Sequence, residues 1–335
     1  RKGKEINMRK KVRLLTSLLA LLGSFVLVAS ACGSSSDDSS DTSGALTMAI
    51  VAPSASDDLA FSQSMVDSVN ALDREITLSI TDGTFIVEEA AAAIRGYAED
   101  GSDIVIAHGT QFGASLAEIA PDFPDTTFIW GTATDTQGLD NVFAYYPASA
   151  EGGYVNGVVA AAVSENGKIG VVGPVEAGDA VPYINGFTTA AKAGGAEVSV
   201  TYTGSFGDVA LAAEAAQAHL ANNADVLTGT AQMVVGAVGV AADAGVPWFG
   251  TQSNQTSLAP DLVIASQVYH WEVVLEEMLD LRDSGTKGGK AFEINLANGG
   301  LVIEFNDGYG LSDDIKASAD AAIAGIIDGS INTGA

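Results

Sequence analysis

The chain has 335 residues, of which 42 are acidic and 15 are basic, so its formal net charge is −27. A surface this negative repels nucleic-acid phosphates and anionic lipid headgroups, which excludes both as expected partners; solubility explains the charge itself. The one cysteine, Cys32, excludes an internal disulfide, so a buried core must hold the fold. The length suffices for such a core and suggests two lobes.

Residues 1–31 have the layout of a secretory signal peptide. Basic residues between Arg9 and Arg13 precede the uncharged run Leu14–Val28, and small residues follow it. The alternative is a membrane-spanning anchor, but this apolar run is shorter than the roughly 20 residues that a spanning helix needs. We therefore expect this segment to direct export and to be removed.

The residues before Met8 resemble untranslated sequence. Lys4 and Glu5 can be encoded as AAGGAG, a ribosome-binding sequence, so we expect translation to begin at Met8 and residues 1–7 not to be translated. Residues 1–31 hold seven of the 15 basic and one of the 42 acidic residues, which leaves 8 basic and 41 acidic residues and a net charge of −33 for the rest of the chain.

Residues 32–45 are almost entirely Ser, Asp and Gly and predict a flexible linker.

Short apolar runs and helical patterns alternate from residue 46 onward. Predicted strands cover residues 46–53, 76–81, 103–109, 126–131, 141–146, 168–174, 197–204, 225–229 and 246–250. Predicted helices cover 59–72, 87–98, 115–120, 150–163, 183–193, 208–221 and 232–244. After Leu262 the pattern is less regular, with a strand and a helix within 265–281 and a last helix over 312–327. This alternation predicts an α/β fold with doubly wound parallel sheets.

There are too many strands for one compact sheet, and the pattern breaks near residues 146–150. We expect two lobes joined by a hinge. The first would comprise residues 46–148 plus about 270–298, and the second residues 149–269 plus about 299–335.

Ligands of open α/β sheets bind beyond the carboxyl ends of the strands, and here those tips are polar. They include Asp58, Phe61, Ser62 and Gln63 after the first strand, and Gly109, Thr110, Phe206, Asp208, Gln232, Gln252 and Asn254 after later ones. No HExxH, GxSxG, P-loop or strand-associated GxGxxG motif occurs, and the three histidines are far apart. An exported, tethered, two-lobed chain without catalytic signatures is typical of a solute-binding protein that needs no metal and no cofactor.

An ordered set of motifs resembles the basic-membrane-protein family of ABC-importer solute-binding lipoproteins, which includes purine-nucleoside receptors. The motifs are DDLAFSQS at 57–64, the stretch 96–130, AEGGYVNGVVAA at 150–161, INGF at 184–187 and YTGSFGD at 202–208. The resemblance covers residues 46–330 and implies a type I periplasmic-binding-protein fold with three crossovers. VASAC at 28–32 resembles a lipobox, which implies lipid attachment at Cys32 and a place on the outer face of the cell membrane.

The resemblance also implies a site in which Phe61 and Phe206 stack on a purine base, beside Gln63 and with Ser62 in place of an Asn. Gln252 and Asn254 in the run GTQSNQ stand where the family has carboxylates that grip ribose. A nucleobase or another flat neutral solute is therefore as credible as a nucleoside. We also expect Trp271, in the run YHW at 269–271, to contact the ligand. Two alternatives stay open, namely that Trp271 only packs a crossover and that Phe206 is a core residue.

We expect a monomer that hands a purine nucleoside or nucleobase to an ABC permease and its ATPase, without catalysis. The alternatives are an exported sensor for a membrane signalling partner, a receptor for a sugar or amino acid, and an enzyme acting on nucleosides.

Overall fold

The computed structural model describes residues 45–334. The predicted signal peptide, the predicted lipidation site Cys32 and the linker up to residue 44 lie outside the described residues.

Twelve strands and nine α-helices alternate through the described residues. The strands are β1 Leu46–Val51, β2 Ile76–Thr81, β3 Ile104–Ala107, β4 Thr127–Gly131, β5 Val142–Pro147, β6 Lys168–Gly173, β7 Glu197–Tyr202, β8 Val226–Gly229, β9 Trp248–Gln252, β10 Val263–Tyr269, β11 Ala291–Ile294 and β12 Leu301–Phe305. The helices are α1 Phe61–Ala71, α2 Val87–Glu99, α3 Gly113–Ile119, α4 Ser149–Val163, α5 Ala180–Ala193, α6 Val209–Ala221, α7 Val234–Ala244, α8 Glu272–Asp283 and α9 Asp313–Ile327.

The strands form two six-stranded sheets. The first has the order β11-β5-β4-β3-β1-β2, and all its neighbouring strands are parallel. The second has the order β12-β10-β9-β8-β6-β7 and is parallel except for β12, which runs antiparallel to β10. We call each sheet with its flanking helices a lobe. The chain passes between the lobes after β5, after β10 and after β11.

Each sheet is buried on both faces, because its central strands are largely apolar and nearly all of their residues are buried. In β1, Met48 and Ile50 pack into a core shared with α1 and α8, whereas Ala49 and Val51 pack into a core shared with α2 and α3. The second sheet repeats this arrangement, with α4, α5 and α9 over one face and α6 and α7 over the other. Side chains alternate between faces along a strand, so a continuous apolar run fits a doubly covered parallel sheet.

The predicted α/β class and the doubly wound parallel sheets are confirmed, while the region after Leu262 holds two strands that the pattern did not predict. These are β11 and β12, each of which pairs at an edge of its sheet. Four of the five residues of β12 are only partly buried, and each strand carries a glutamate, so neither has the apolar run that identifies a central strand.

The glycines of AEGGYVNG and INGF allow α4 and α5 to touch through their backbones. A Cβ added at Gly153 would lie 2.2 Å from the Tyr183 carbonyl oxygen, and one at Gly157 would lie 2.4 Å from that of Phe187. A Cβ at Gly186 would lie 2.1 Å from the Ala150 carbonyl oxygen. These glycines therefore serve helix packing.

Replacing Gly186 by Ala should destabilise the protein, because the new Cβ meets backbone that cannot move independently. We expect a loss of about 1–3 kcal/mol in the free energy of unfolding, measured by urea denaturation. The matched control is Gly239→Ala in α7, which is exposed and has no atom within 4 Å of the new Cβ. It should gain roughly 0.5–1 kcal/mol from helix propensity. Equal effects of the two substitutions would contradict the packing argument.

Candidate functional site

The cavity between the lobes is built from the carboxyl ends of strands in both sheets, where the strand-tip rule predicts it. The empty space between its lining residues, counted together with open solvent at its mouth, is about 390 Å³. The lining residues of the first lobe are Pro53, Phe61, Phe85, Gly109, Thr110, Gln111 and Thr132. Those of the second lobe are Gly178, Asp179, Phe206, Ala231, Gln232 and Gln252.

Phe61, the first residue of α1, forms one aromatic wall of the cavity. The imidazole of His108 stacks on its ring, with centroids 3.8 Å apart and planes inclined by 11°. His108 Nε2 lies 2.8 Å from the Phe61 carbonyl oxygen, which can only accept, so Nε2 donates and Nδ1 accepts from the Tyr145 hydroxyl. Burial lowers the pKa of His108 to about 3, which keeps the imidazole neutral. The Phe61 ring is thus held in place from behind.

Trp271 supports this wall from the crossover between β10 and α8. It is fully buried, and its Nε1 donates to Ser64 Oγ at 2.9 Å. Its ring packs edge-on against Tyr145 and Tyr269, with centroids 4.8 and 4.9 Å away. Trp271 is not part of the cavity lining, so its position favours packing of the crossover over ligand contact.

Two further phenylalanines stand at the mouth of the cavity, one from each lobe. Phe206, after β7, is half-buried and lines the cavity without belonging to any of the core clusters of the described residues. Phe85, after β2, is 44% exposed, and its ring tip would lie 2.5 Å from a Cβ at Gly207. The lobes therefore meet at the mouth through Phe85 and Gly207.

Further contacts join the lobes beside the cavity. Ser253 Oγ donates to the Ala60 carbonyl oxygen at 2.7 Å, and Gln255 Nε2 donates to that of Leu59 at 3.2 Å. Both acceptors lie immediately before α1, so the second lobe grips the segment that positions Phe61.

The backbone is strained at three strand ends that line the cavity. Thr132, Ala231 and Gln252 have φ values of 52°, 77° and 70°, in the left-handed region that non-glycine residues rarely adopt. Such strain is found where function rather than stability sets the conformation. It marks the ends of β4, β8 and β9 as parts of a site.

Asp179, at the start of α5, is the one charged residue among the described residues that line the cavity. Its Oδ2 accepts hydrogen bonds from the Tyr269 hydroxyl at 2.9 Å and from Gln252 Nε2 at 3.1 Å. Gln267 Nε2 donates to the Tyr269 oxygen at 2.9 Å, which leaves the Tyr269 proton for Asp179. Burial raises the pKa of Asp179, and the two hydrogen bonds only partly offset this.

Two glutamines of the lining have buried oxygens without a hydrogen-bond partner in the described part of the chain. They are Oε1 of Gln252, a residue 2% exposed, and Oε1 of Gln232, a residue 8% exposed. Of the two polar atoms in the Gln252 side-chain amide, only the nitrogen can donate a hydrogen bond to the Asp179 carboxylate. This bond therefore fixes the orientation of the amide and leaves its oxygen without a partner. Buried unpaired acceptors are costly, and these two belong to residues that line the cavity, where a ligand has access to them.

Asp58, Ser62 and Gln63 position the start of α1 and do not line the cavity. Asp58 accepts from three backbone N–H groups there, at 2.9–3.1 Å. Ser62 is fully buried, with its Oγ 2.6 Å from Ser54 Oγ, and Gln63 Oε1 accepts from the Leu59 N–H at 2.9 Å. Their predicted role in ligand contact stays a prediction, while their positions show how they support Phe61.

Asp208 and Asn254 also lie outside the cavity lining. Asp208 is exposed and caps α6, since its Oδ1 accepts from two backbone N–H groups at 3.0 and 3.1 Å. Asn254 is exposed, donates to Glu304 Oε2 at 2.5 Å and lines a separate surface cavity beside the crossover after β10. Of the predicted ligand-binding residues, the cavity thus brings together Phe61, Gly109, Thr110, Phe206, Gln232 and Gln252.

Sequence reasoning missed Phe85, and it placed Asp179 at a strand tip without choosing it as a ligand-binding residue. Asp179 follows β6 and belongs to a strand tip, but the family pattern directs attention to the run after β9 instead. Applying the strand-tip rule to β2 would have found Phe85, the fourth residue after that strand.

Within residues 45–334 no group of three or more His, Cys, Asp or Glu side chains is arranged to hold a metal ion. None of the helices described there combines the length and apolar character required to span a bilayer.

Comparison with known proteins adds the family. The model of the Bmp family, described as "ABC transporter substrate-binding protein PnrA-like", matches residues 45–328. The purine-binding protein of Brucella abortus is 26% identical, over 81% of this chain and 76% of that protein. The ABC transporter nucleoside-binding protein BmpA of Lactococcus lactis is 24% identical, over 97% of this chain and 99% of that protein.

Solved structures share the fold. An ABC transporter solute-binding protein from Conexibacter woesei has a TM-score of 0.68 at 24% identity, covering 86% of this chain and 98% of that one. A transcriptional activator of the comK gene from Bacillus halodurans has a TM-score of 0.70 at 22% identity, covering 85% of this chain and 99% of that one.

Two α/β lobes joined by three crossovers, with a cavity between their strand ends, define a type I periplasmic-binding-protein fold. The chain belongs to the Bmp family of ABC transporter substrate-binding proteins. Its partners as a member of this class are a small-molecule ligand and the other components of an ABC transporter.

Replacing Asp179 by Asn should leave the ligand-free protein at least as stable as the original at neutral pH. Burial raises the pKa of Asp179, so its contribution to stability is present below the ordinary pKa of 3.8 and is lost as pH rises through the folded-state pKa. The nearby Tyr145 and Tyr269 stay neutral there, because burial raises the pKa of both. Melting temperatures measured from pH 4 to 8 should show the difference between variant and original growing with pH. A variant that is less stable at pH 8 than at pH 4, relative to the original, would contradict this.

Proposed function

We propose that this protein captures a purine nucleoside or nucleobase between its lobes and delivers it to an ABC importer. The observation that carries the proposal is that Phe61 and Phe206, from opposite lobes, line one cavity that also holds amides and a carboxylate. The names of the Brucella abortus and Lactococcus lactis relatives, purine-binding and nucleoside-binding, support the same ligand class.

A purine suits this lining physically. Its flat π system gains roughly 1–3 kcal/mol for each aromatic ring on which it stacks. Its ring edges present hydrogen-bonding groups to the amides and the carboxylate. Placing one aromatic wall on each lobe couples binding to closure, because both walls contact the ligand only when the lobes come together.

Closure in this proposal is a hinge motion about the crossovers after β5, β10 and β11. The moving units would be residues 46–148 with about 270–298, and residues 149–269 with about 299–335. Three short crossovers side by side favour rotation of one lobe against the other.

Binding without chemical conversion is part of the same proposal. The lining offers hydroxyls and amides, whereas the nearby His108 is buried behind Phe61 and its pKa is about 3. A neutral imidazole that already holds two hydrogen bonds is poorly placed to act as a base.

We also propose that the protein is a monomer held on the outer face of the cell membrane by lipid on Cys32. The sequence VASAC at the end of a signal-like segment supports this. Two or more acyl chains hold a protein stably, whereas one holds it weakly. Mass spectrometry of the membrane-bound protein should find a diacyl-modified Cys32 at the mature N-terminus; an unmodified Cys32 would remove the anchor and leave the binding proposal standing.

Purine binding should raise the melting temperature of the purified protein. We expect adenosine, guanosine or adenine to raise it, because a ligand that binds only the folded state stabilises that state. If sugars or amino acids raise the melting temperature and purines and pyrimidines do not, the ligand belongs to a different class from the one proposed.

Replacing Phe206 by Leu should weaken purine binding by roughly 10-fold, because the side chain keeps its bulk and loses its stacking face. Isothermal titration calorimetry measures this directly. The matched control is Phe123→Leu, which changes another half-buried phenylalanine, away from the cavity. An unchanged affinity in the Phe206 variant would return that residue to a packing role.

A further inference from the structure

We propose that the cavity selects neutral or cationic purines rich in hydrogen-bond donors, and that Asp179 supplies the carboxylate that recognises them. This inference rests on the proposed function and narrows its ligand class. It also assigns a role to a residue that lies outside the GTQSNQ run.

The charge of the cavity lining determines which ligands the cavity disfavours. Among the described residues that line the cavity, Asp179 is the one ionisable carboxylate, and no lysine, arginine or histidine is present. Nothing in this wall would therefore neutralise a phosphate group or an anionic base. An anionic ligand would meet a buried carboxylate at short range, which low dielectric makes strongly unfavourable.

The unpaired polar atoms of the cavity lining are hydrogen-bond acceptors. Gln252 Oε1 and Gln232 Oε1 are buried acceptors without partners in the part of the chain that the structure describes. Asp179 Oδ2 is occupied by Tyr269 and Gln252, whereas Oδ1 receives no hydrogen bond from another described residue. The cavity thus offers acceptors from two strand ends and one helix start, and a ligand must bring N–H or O–H groups to them.

The contact between Gln252 and Asp179 connects the end of β9 to the start of α5. Gln252 stands where the family resemblance predicts a carboxylate, and it donates to Asp179 at 3.1 Å. In this chain the negative charge lies at the start of α5 instead of the end of β9, and Gln252 links the two positions. The left-handed backbone of Gln252, at φ 70°, holds its amide in this position.

A ligand panel on the unaltered protein tests the charge rule by calorimetry. Adenosine should bind at least 100-fold more tightly than AMP, which carries the same base and ribose with added negative charge. Guanine should bind more tightly than urate, which is of similar size and anionic. Adenine should bind more tightly than unsubstituted purine, which lacks the exocyclic amino group. AMP and urate binding as tightly as their neutral counterparts would overturn the inference and leave the proposed function in place.

The variant Asp179→Asn tests the residue. It should weaken adenosine binding by roughly 10–100-fold, the range expected for loss of hydrogen bonds to a charged group. The control is Asp208→Asn, because Asp208 is exposed, caps α6 and is not in the cavity lining. Melting temperatures of both variants report whether they fold. A folded Asp179 variant with unchanged affinity would overturn the assignment, and failure of every purine in the panel would overturn the proposed function itself.

Discussion

Parallel strands all end at the same edge of their sheet, and this constraint organises the whole molecule. Each lobe therefore presents all the segments that follow its parallel strands at one and the same edge. The three crossovers bring those two edges together, so residues far apart in the chain, such as Phe61 and Phe206, line one cavity. The burial of both sheet faces under helices provides the rigid support on which these loops depend.

The cavity brings together several features that are costly to a folded chain. Its wall contains left-handed non-glycine residues, buried amide oxygens without partners and a carboxylate whose pKa is raised by burial. Each of these features destabilises a folded chain, and the apolar cores on both faces of each sheet offset them. The molecule thus places strain and unmet polarity where a ligand can relieve them.

The sequence predicts the fold well because apolar runs in doubly covered parallel strands are unambiguous. It misses β11 and β12 because short edge strands with glutamate resemble loops. For the site, the rule that ligands bind beyond the carboxyl ends of the strands predicts the correct edge of each sheet and several residues that line the cavity. It does not separate residues that line the cavity from residues that only hold those residues in place. Asp58, Ser62 and Gln63 precede or begin α1 as Phe61 does, yet the side chains of Asp58 and Gln63 accept from the backbone. The Ser62 hydroxyl bonds to Ser54. Which way a polar side chain turns depends on neighbours that the sequence does not place.

Asp179 and Phe61 belong to different lobes, yet a continuous series of contacts joins them through the crossover after β10. Asp179 bonds to Tyr269, Tyr269 packs on Trp271, and Trp271 packs on Tyr145 and the edge of His108, which stacks on Phe61. Asp179 in one wall of the cavity and Phe61 in the other are therefore both supported, through these contacts, by the indole of Trp271. Trp271 lies in one of the crossovers about which we propose that the lobes turn. In the closure that we propose, movement about Trp271 would shift the acidic and the aromatic sides of the cavity together, although Trp271 itself does not line the cavity.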